Sequence, residues 1–314
     1  MNKFKKVNEF TLNERVYGHF MIKQVKPGTT TTNKPYLDVT IGDKTGDILA
    51  KIWDSSKEQE TALIKNEIVY ATGLVTEWNG GYQLKVEYIE VVKKDIPLED
   101  FVKAAPIPLD TMMNEIKVFI ECIEDDEIKQ LVTTIFSKYA DDFRVWPAAK
   151  GMHHAVYGGL AYHTLTMLRS AKALSGVYSH LNKDLLYAGI VLHDIEKINE
   201  MKASYGVTDD YTRKGKLLGH ILQSIILIEK VGIELNVNPT KIEVLQHLVA
   251  SHHGKGEWGS PQPPKMAEAL MIHFIDNIDA KMYMIKDALD NLKEGEEFTE
   301  KIRGLENNQF YKFV

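Results

Sequence analysis

Cysteine is nearly missing from this 314-residue chain. Cys122 stands alone, so no disulfide can form within the chain, and such usage fits a reducing, cytoplasmic setting. Long apolar runs are missing too: none approaches the roughly 20 residues that a membrane-spanning helix requires. The opening residues, MNKFKKVNEF, are basic with no apolar segment behind them, which speaks against a signal peptide and against a membrane partner. No repeat or low-complexity tract interrupts the chain. A basic excess is also lacking. The formal net charge of −6 excludes a broadly basic nucleic-acid binder. The charge is uneven, however. Residues 1–95 carry 14 basic and 13 acidic side chains and the remainder 24 and 31, so a polyanion contact is expected to begin on the N-terminal part.

Hydrophobic residues make up 44% of the chain, ordinary for a globular protein. Its length exceeds the roughly 250 residues that one core usually serves, so two domains are expected. Residues 12–93 alternate apolar and polar side chains in runs rich in Val, Ile, Thr and aromatics, broken by turn residues. Strands are predicted over 16–25, 36–41, 48–53, 68–76 and 82–92. Asn79-Gly80 marks a hairpin between the last two. A short helix is predicted within 54–66. Five strands with one intervening helix describe a small Greek-key barrel of the OB type.

Residues 94–110 hold Pro97, Pro106 and Pro108 and read as a linker. Beyond them the apolar period becomes helical, over 160–174, 185–198, 217–231, 242–249 and 266–284. The expected organisation is multidomain: an OB-type β-barrel over 12–93, an all-α domain over 111–290 and a C-terminal tail over 291–314.

Ten of the 11 histidines lie after residue 150. His163 shares a helical stripe with Leu160, Met167, Ala171 and Leu174, so it should face inward. His193 and Asp194 end the apolar run 185–192, and Asp276 follows the apolar residues Phe274 and Ile275. A buried carboxylate without a cationic partner costs several kcal/mol or neutralises itself. A lone inward histidine is more often a hydrogen-bonded core residue than a ligand. The set is different. His163, His193 with Asp194, His220, His252 with His253, and Asp276 fall on separate helices or helix ends, which fits one shared metal centre. Neighbouring helix positions point about 100° apart, so His193 and Asp194 can serve adjacent directions of it.

The segments Gly159-Leu160-Ala161-Tyr162-His163, His193-Asp194-Ile195-Glu196-Lys197, Gly219-His220, His252-His253-Gly254 and Phe274-Ile275-Asp276 come in an order that resembles the HD superfamily of metal-dependent phosphohydrolases. That resemblance implies one metal held by His163, His193, Asp194 and Asp276. It implies a second held by Asp194, as the bridge, with His220, His252 and His253. Asp194 is then catalytic, and Lys197 meets substrate phosphate. The Gly-Tyr-Pro signature of cyclic-di-GMP enzymes is missing, since Gly254-Lys255-Gly256 follows the histidine pair. Over residues 12–290 the chain is similar to the YhaM-type 3′→5′ exoribonucleases of Gram-positive bacteria, most closely at Trp146-Pro147-Ala148-Ala149-Lys150-Gly151-Met152-His153-His154. The resemblance implies single-stranded RNA as substrate, with single-stranded DNA as a further expectation. Imidazole and carboxylate donors suit Mn²⁺, with Fe²⁺, Co²⁺ and Zn²⁺ as alternatives.

Lys150, His153 and His154 are candidates for contact with the substrate, and His273 for supporting the ligand shell. On the barrel, Phe20, Tyr36, Trp53, Trp78 and Tyr82 could stack bases while Lys23, Lys26, Lys34 and Lys51 follow phosphates. Trp78 and Tyr82 are preferred because they flank a hairpin tip. Two other readings stand beside the nuclease. One is a phosphohydrolase of small or cyclic nucleotides; the other is a nucleic-acid-binding replication or transcription factor. The apolar ending Phe310-Tyr311-Lys312-Phe313-Val314 suggests docking on the chain's own domain or in a homo-oligomer.

Overall fold

A computed structural model describes residues 4–93, 96–149, 154–204 and 206–313. The chain divides between Lys103 and Ala104 into two compact units. In the first, β1 (Arg15–Thr29), β2 (Pro35–Asp43), β3 (Gly46–Trp53), the short helix α1 (Lys57–Ala62), β4 (Ile68–Trp78) and β5 (Gly81–Val91) follow one another. The strands close into a barrel in the order β1-β2-β3-β5-β4. Neighbours are antiparallel except β3 and β5, whose parallel pairing sets Ala50 beside Leu84. This is the OB barrel that the alternation predicts. Its interior holds Ile22, Leu37, Val39, Ile41, Ala50, Val69, Ala71, Val75 and Leu84, the inward halves of the alternating runs. α1 begins with a capping box, Ser56 accepting from the Gln59 N–H while Gln59 accepts from that of Ser56.

The second unit is helical: α2 (Leu109–Glu121), α3 (Asp126–Val145), α4 (Gly159–Val177), α5 (Lys183–Leu192), α6 (Lys197–Glu200), then β6 (Met201–Ser204) and β7 (Val207–Tyr211), then α7 (Arg213–Glu234), α8 (Pro239–Ser251) and α9 (Ala267–Asp290). Side-chain oxygens start four of these eight helices. Asp125 caps α3, Asn182 caps α5, Thr212 caps α7, and Asn238 caps α8 just ahead of Pro239. Helix α5 is enclosed, with every residue from Leu186 to Leu192 buried. That explains its unbroken apolar run, since an enclosed helix has no solvent face to mark with polar residues.

Two differences from the sequence reading bear on the site. The segment 185–198, expected as one helix, stops at Leu192 and resumes as α6 only at Lys197. The β6–β7 hairpin was not expected at all. The tail turns back on its own unit: Leu305 is buried, and Thr299 accepts from the Phe310 N–H through its hydroxyl. Among the described residues no helix is long and apolar enough to cross a membrane.

Candidate metal centre

Helices α4, α5, α7, α8 and α9 bring their histidines and aspartates to one place. His163 comes from the second turn of α4 and is fully buried. His193 and His252 are the residues that end α5 and α8. Each turns its Nδ1–H back onto the carbonyl oxygen three residues earlier, His193 to Ile190 and His252 to Val249, both at 2.7 Å. A helix end leaves its last carbonyls unpaired, so the same hydrogen bond finishes the helix and aims Nε2 inward. Adjacent to His252, His253 donates from Nδ1 to the Trp258 carbonyl at 2.8 Å. His220 enters just after a break in α7, where Gly219 takes φ 67°. Glycine is suited to that left-handed backbone.

The ring nitrogens left facing inward surround Asp194, a residue only 2% exposed. Its Oδ2 lies 3.3 Å from His193 Nε2 and 3.8 Å from His163 Nε2, and His163 Nε2 is 3.3 Å from Asp276 Oδ1. Its Oδ1 faces the other way, 3.3 Å from His220 Nε2 and 3.9 Å from His252 Nε2. The ligand atoms of His163, His193 and Asp276 lie within 4.8 Å of one another, as do those of His220, His252 and His253. Lys197 Nζ donates to Asp194 Oδ2 at 2.6 Å. Burial opposes the lysine's charge, but Asp194 outweighs it and holds the pKa above its ordinary value.

These residues fit a cation. Asp194 Oδ1, His220 Nε2 and His252 Nε2 are buried with no hydrogen-bond partner among the described residues. Three such atoms aimed at a common region carry an unpaid desolvation cost that a shared cation removes. Burial, and then His253 and His193, also hold the His252 imidazole well below its ordinary pKa, in the neutral form a metal needs.

Sequence reasoning missed two carboxylates here. Asp279 Oδ2 accepts from His163 Nδ1 at 2.7 Å and from His154 Nε2 at 2.8 Å. Glu200 Oε2 accepts from His220 Nδ1 at 3.0 Å, and its Oε1 from the His220 backbone N–H at 3.2 Å. Asp279 carried a faint signal, lying one helical turn beyond Asp276; Glu200 carried none. His154 is 1% exposed and stacks on Tyr283, with ring centroids 3.9 Å apart. His273 supports the His252 backbone, donating from Nδ1 to its carbonyl at 3.0 Å. Lys150 and His153 lie outside the described residues. In the barrel, Trp78 and Tyr82 are exposed at the β4–β5 turn, 63% and 50%. Phe20, by contrast, is 1% exposed and belongs to the core, so it is no stacking surface. Lys23 donates to the Phe101 carbonyl.

Comparison with known proteins places these features. The HD domain family model matches residues 160–281, and the OB-fold nucleic acid binding domain model matches 21–92. The 3′-5′ exoribonuclease YhaM of Geobacillus sp. (strain WCH70) is 42% identical over 310 residues, covering 98% of this chain and 95% of that protein. The chain belongs to the YhaM family. YhaM of Bacillus pumilus is 41% identical, covering 98% of each chain, and YhaM of Bacillus velezensis is 40% identical, covering 95% of each. Asp194 and the five histidines and one aspartate around it fall inside the HD match, and Trp78 and Tyr82 inside the OB match.

Proposed function

We propose that this chain is a divalent-metal-dependent 3′→5′ exoribonuclease of single-stranded RNA, with single-stranded DNA open to the same chemistry. The observation that carries the reading is Asp194, whose two oxygens face two separate sets of inward nitrogens. His163, His193, Asp194 and Asp276 would hold one ion, and Asp194, His220, His252 and His253 a second. Mn²⁺ suits these donors first, then Fe²⁺, Co²⁺ or Zn²⁺; when bound, such ions neutralise charge on a phosphodiester and lower the pKa of an attacking water. The chain's own residues do the rest. Asp194 anchors both sets. Lys197, held charged beside it, offers a cation to substrate phosphate. The enclosed end of α5 keeps His193 and Asp194 in a dry setting, where charge interactions are stronger than in water.

The barrel supplies strand binding in this reading. Trp78 and Tyr82 offer exposed stacking faces, and Lys51 lies over the Tyr36 ring at 3.8 Å beside Trp53. A homo-oligomer is supported by α9, whose Leu270, Phe274, Ile278 and Met282 form an exposed apolar stripe at four-residue spacing. The exposed, free Cys122 supports a cytoplasmic setting.

The test is incubation with 5′-labelled single-stranded RNA and Mn²⁺. A ladder shortening from the 3′ end, abolished by EDTA, is the expected result. Intact RNA under several metals, with turnover of mononucleotide or cyclic esters, would instead establish the small-nucleotide enzyme.

A further inference from the structure

We propose that Asp279 and Glu200 are positioning residues, each governing one half of the metal centre. The proposal rests on the metal-centre reading above and goes beyond it in saying what tunes each half. All five imidazoles present Nε2 to the centre because Nδ1 is already engaged. For three of them the partner is a backbone carbonyl: Ile190 for His193, Val249 for His252 and Trp258 for His253. A carbonyl is neutral and set by the fold. The other two imidazoles are backed by carboxylates, His163 by Asp279 and His220 by Glu200. A carboxylate behind a ligating histidine fixes the ring's tautomer and orientation and makes the ring a stronger donor.

The two backed histidines are divided between the two sets. His163 lies with His193 and Asp276, whereas His220 lies with His252 and His253. Each set therefore contains one histidine strengthened by an anion. The local structure is built around these contacts. Asp279 follows Asp276 by three residues on α9, so the same helix face carries a ligand and the support of another ligand. Asp279 also holds His154, which takes a left-handed φ of 52° and is buried against Tyr283. On the other side, the break at Gly219 takes the His220 N–H out of the regular helical ladder, and Glu200 Oε1 receives it. Gly215 lets α7 approach closely, since a side-chain carbon there would sit 2.2 Å from the Glu200 carbonyl oxygen.

Mn²⁺ binding to the purified full chain tests this, read by equilibrium dialysis and by electron paramagnetic resonance, which separates isolated from paired ions. Asp279→Asn and Glu200→Gln keep shape and remove charge. Each is expected to weaken one of two binding constants, on the order of 10–100-fold. Substoichiometric Mn²⁺ then gives the isolated-ion spectrum. A cross in histidine backgrounds assigns the halves: Asp279→Asn should add nothing in His163→Ala yet keep its full effect in His220→Ala, and Glu200→Gln the reverse. Circular dichroism in EDTA monitors folding, and Asp279→Glu serves as the charge-retaining rescue. Two tight Mn²⁺ ions in every variant would overturn the proposal and leave the metal centre standing. Loss of both ions in each single variant would overturn the division into halves. A wild-type chain that binds no Mn²⁺ would overturn the metal centre, and this proposal with it.

Discussion

His163 carries the sharpest conflict between burial and charge in the cluster. Burial opposes its protonation, but Asp276 and Asp279 each accept from one of its ring nitrogens and raise its pKa to about 10. Burial likewise opposes ionisation of Asp276 and Asp279, and their histidine contacts outweigh it, holding both well below the usual carboxylate range. The raised histidine stabilises the metal-free fold fully below its ordinary value near 6.5, and that contribution is lost as pH rises through about 10. At pH 7.5 the metal-free ring is therefore charged, and an ion held at Nε2 would have to take the place of its proton. Calorimetric titration with Mn²⁺ in buffers of different ionisation enthalpy should show release of about one proton per chain from this residue, absent in His163→Gln. Heats independent of buffer would contradict the account. At this scale the clustered side chains were legible because histidine and aspartate stood on apolar stripes, as His163 does beside Leu160 and Met167. Asp279 and Glu200 were not, because a carboxylate three residues along a helix, or in an unassigned turn, reads the same whether it faces solvent or another helix. Phe20 failed for a related reason: strand alternation tells which residues share a face, and only closure of the barrel tells which face is inside.

Among the elements, the barrel strands and the helices that carry the clustered histidines and aspartates were readable from period and turn residues, while the interruption after Leu192 was not. There His193 Nδ1 donates to the Ile190 carbonyl, a contact that helical propensity does not contain. The β6–β7 hairpin escaped because its strands span only Met201–Ser204 and Val207–Tyr211, too short for an alternation to stand out. Helix α9 shows a different case. Its apolar residues read in the sequence only as a helical period, and the structure divides them between two faces. Ile272 and Ile275 enter the core beside the Asp276 face, while Leu270, Phe274, Ile278 and Met282 stay outside. An exposed stripe of this kind is what the proposed homo-oligomer would cover. Phe274→Glu with Ile278→Glu should reduce the molar mass measured by light scattering after size exclusion, with helical content unchanged. A wild-type chain that is already monomeric at micromolar concentration would end the oligomer reading.

For the whole molecule, charge and chemistry are divided between the two units. Residues 1–95 are close to neutral, with 14 basic and 13 acidic side chains, so long-range attraction contributes little to holding a strand there. Stacking must contribute much of the grip. A base on an aromatic ring is worth about 1–3 kcal/mol, so Trp78→Ala with Tyr82→Ala should weaken single-stranded RNA binding by at least about 10-fold by fluorescence anisotropy. Hydrolysis of a mononucleotide ester should be unchanged. Equal binding by the double variant would remove Trp78 and Tyr82 from the interface. The acidic remainder of the chain, with 24 basic and 31 acidic side chains, gathers its histidines around buried carboxylates and is suited to holding cations. The claim that joins these scales is that hydrolysis depends on Asp194, because its two oxygens serve both sets of ligands. The direct test is the rate of nucleotide release from single-stranded RNA by Asp194→Ala and by the wild-type chain, at saturating Mn²⁺, with matched circular dichroism spectra. The account predicts a loss on the order of 1,000-fold or more, since several kcal/mol of charge stabilisation leave with the centre. A folded Asp194→Ala chain that trims RNA at the wild-type rate would contradict it.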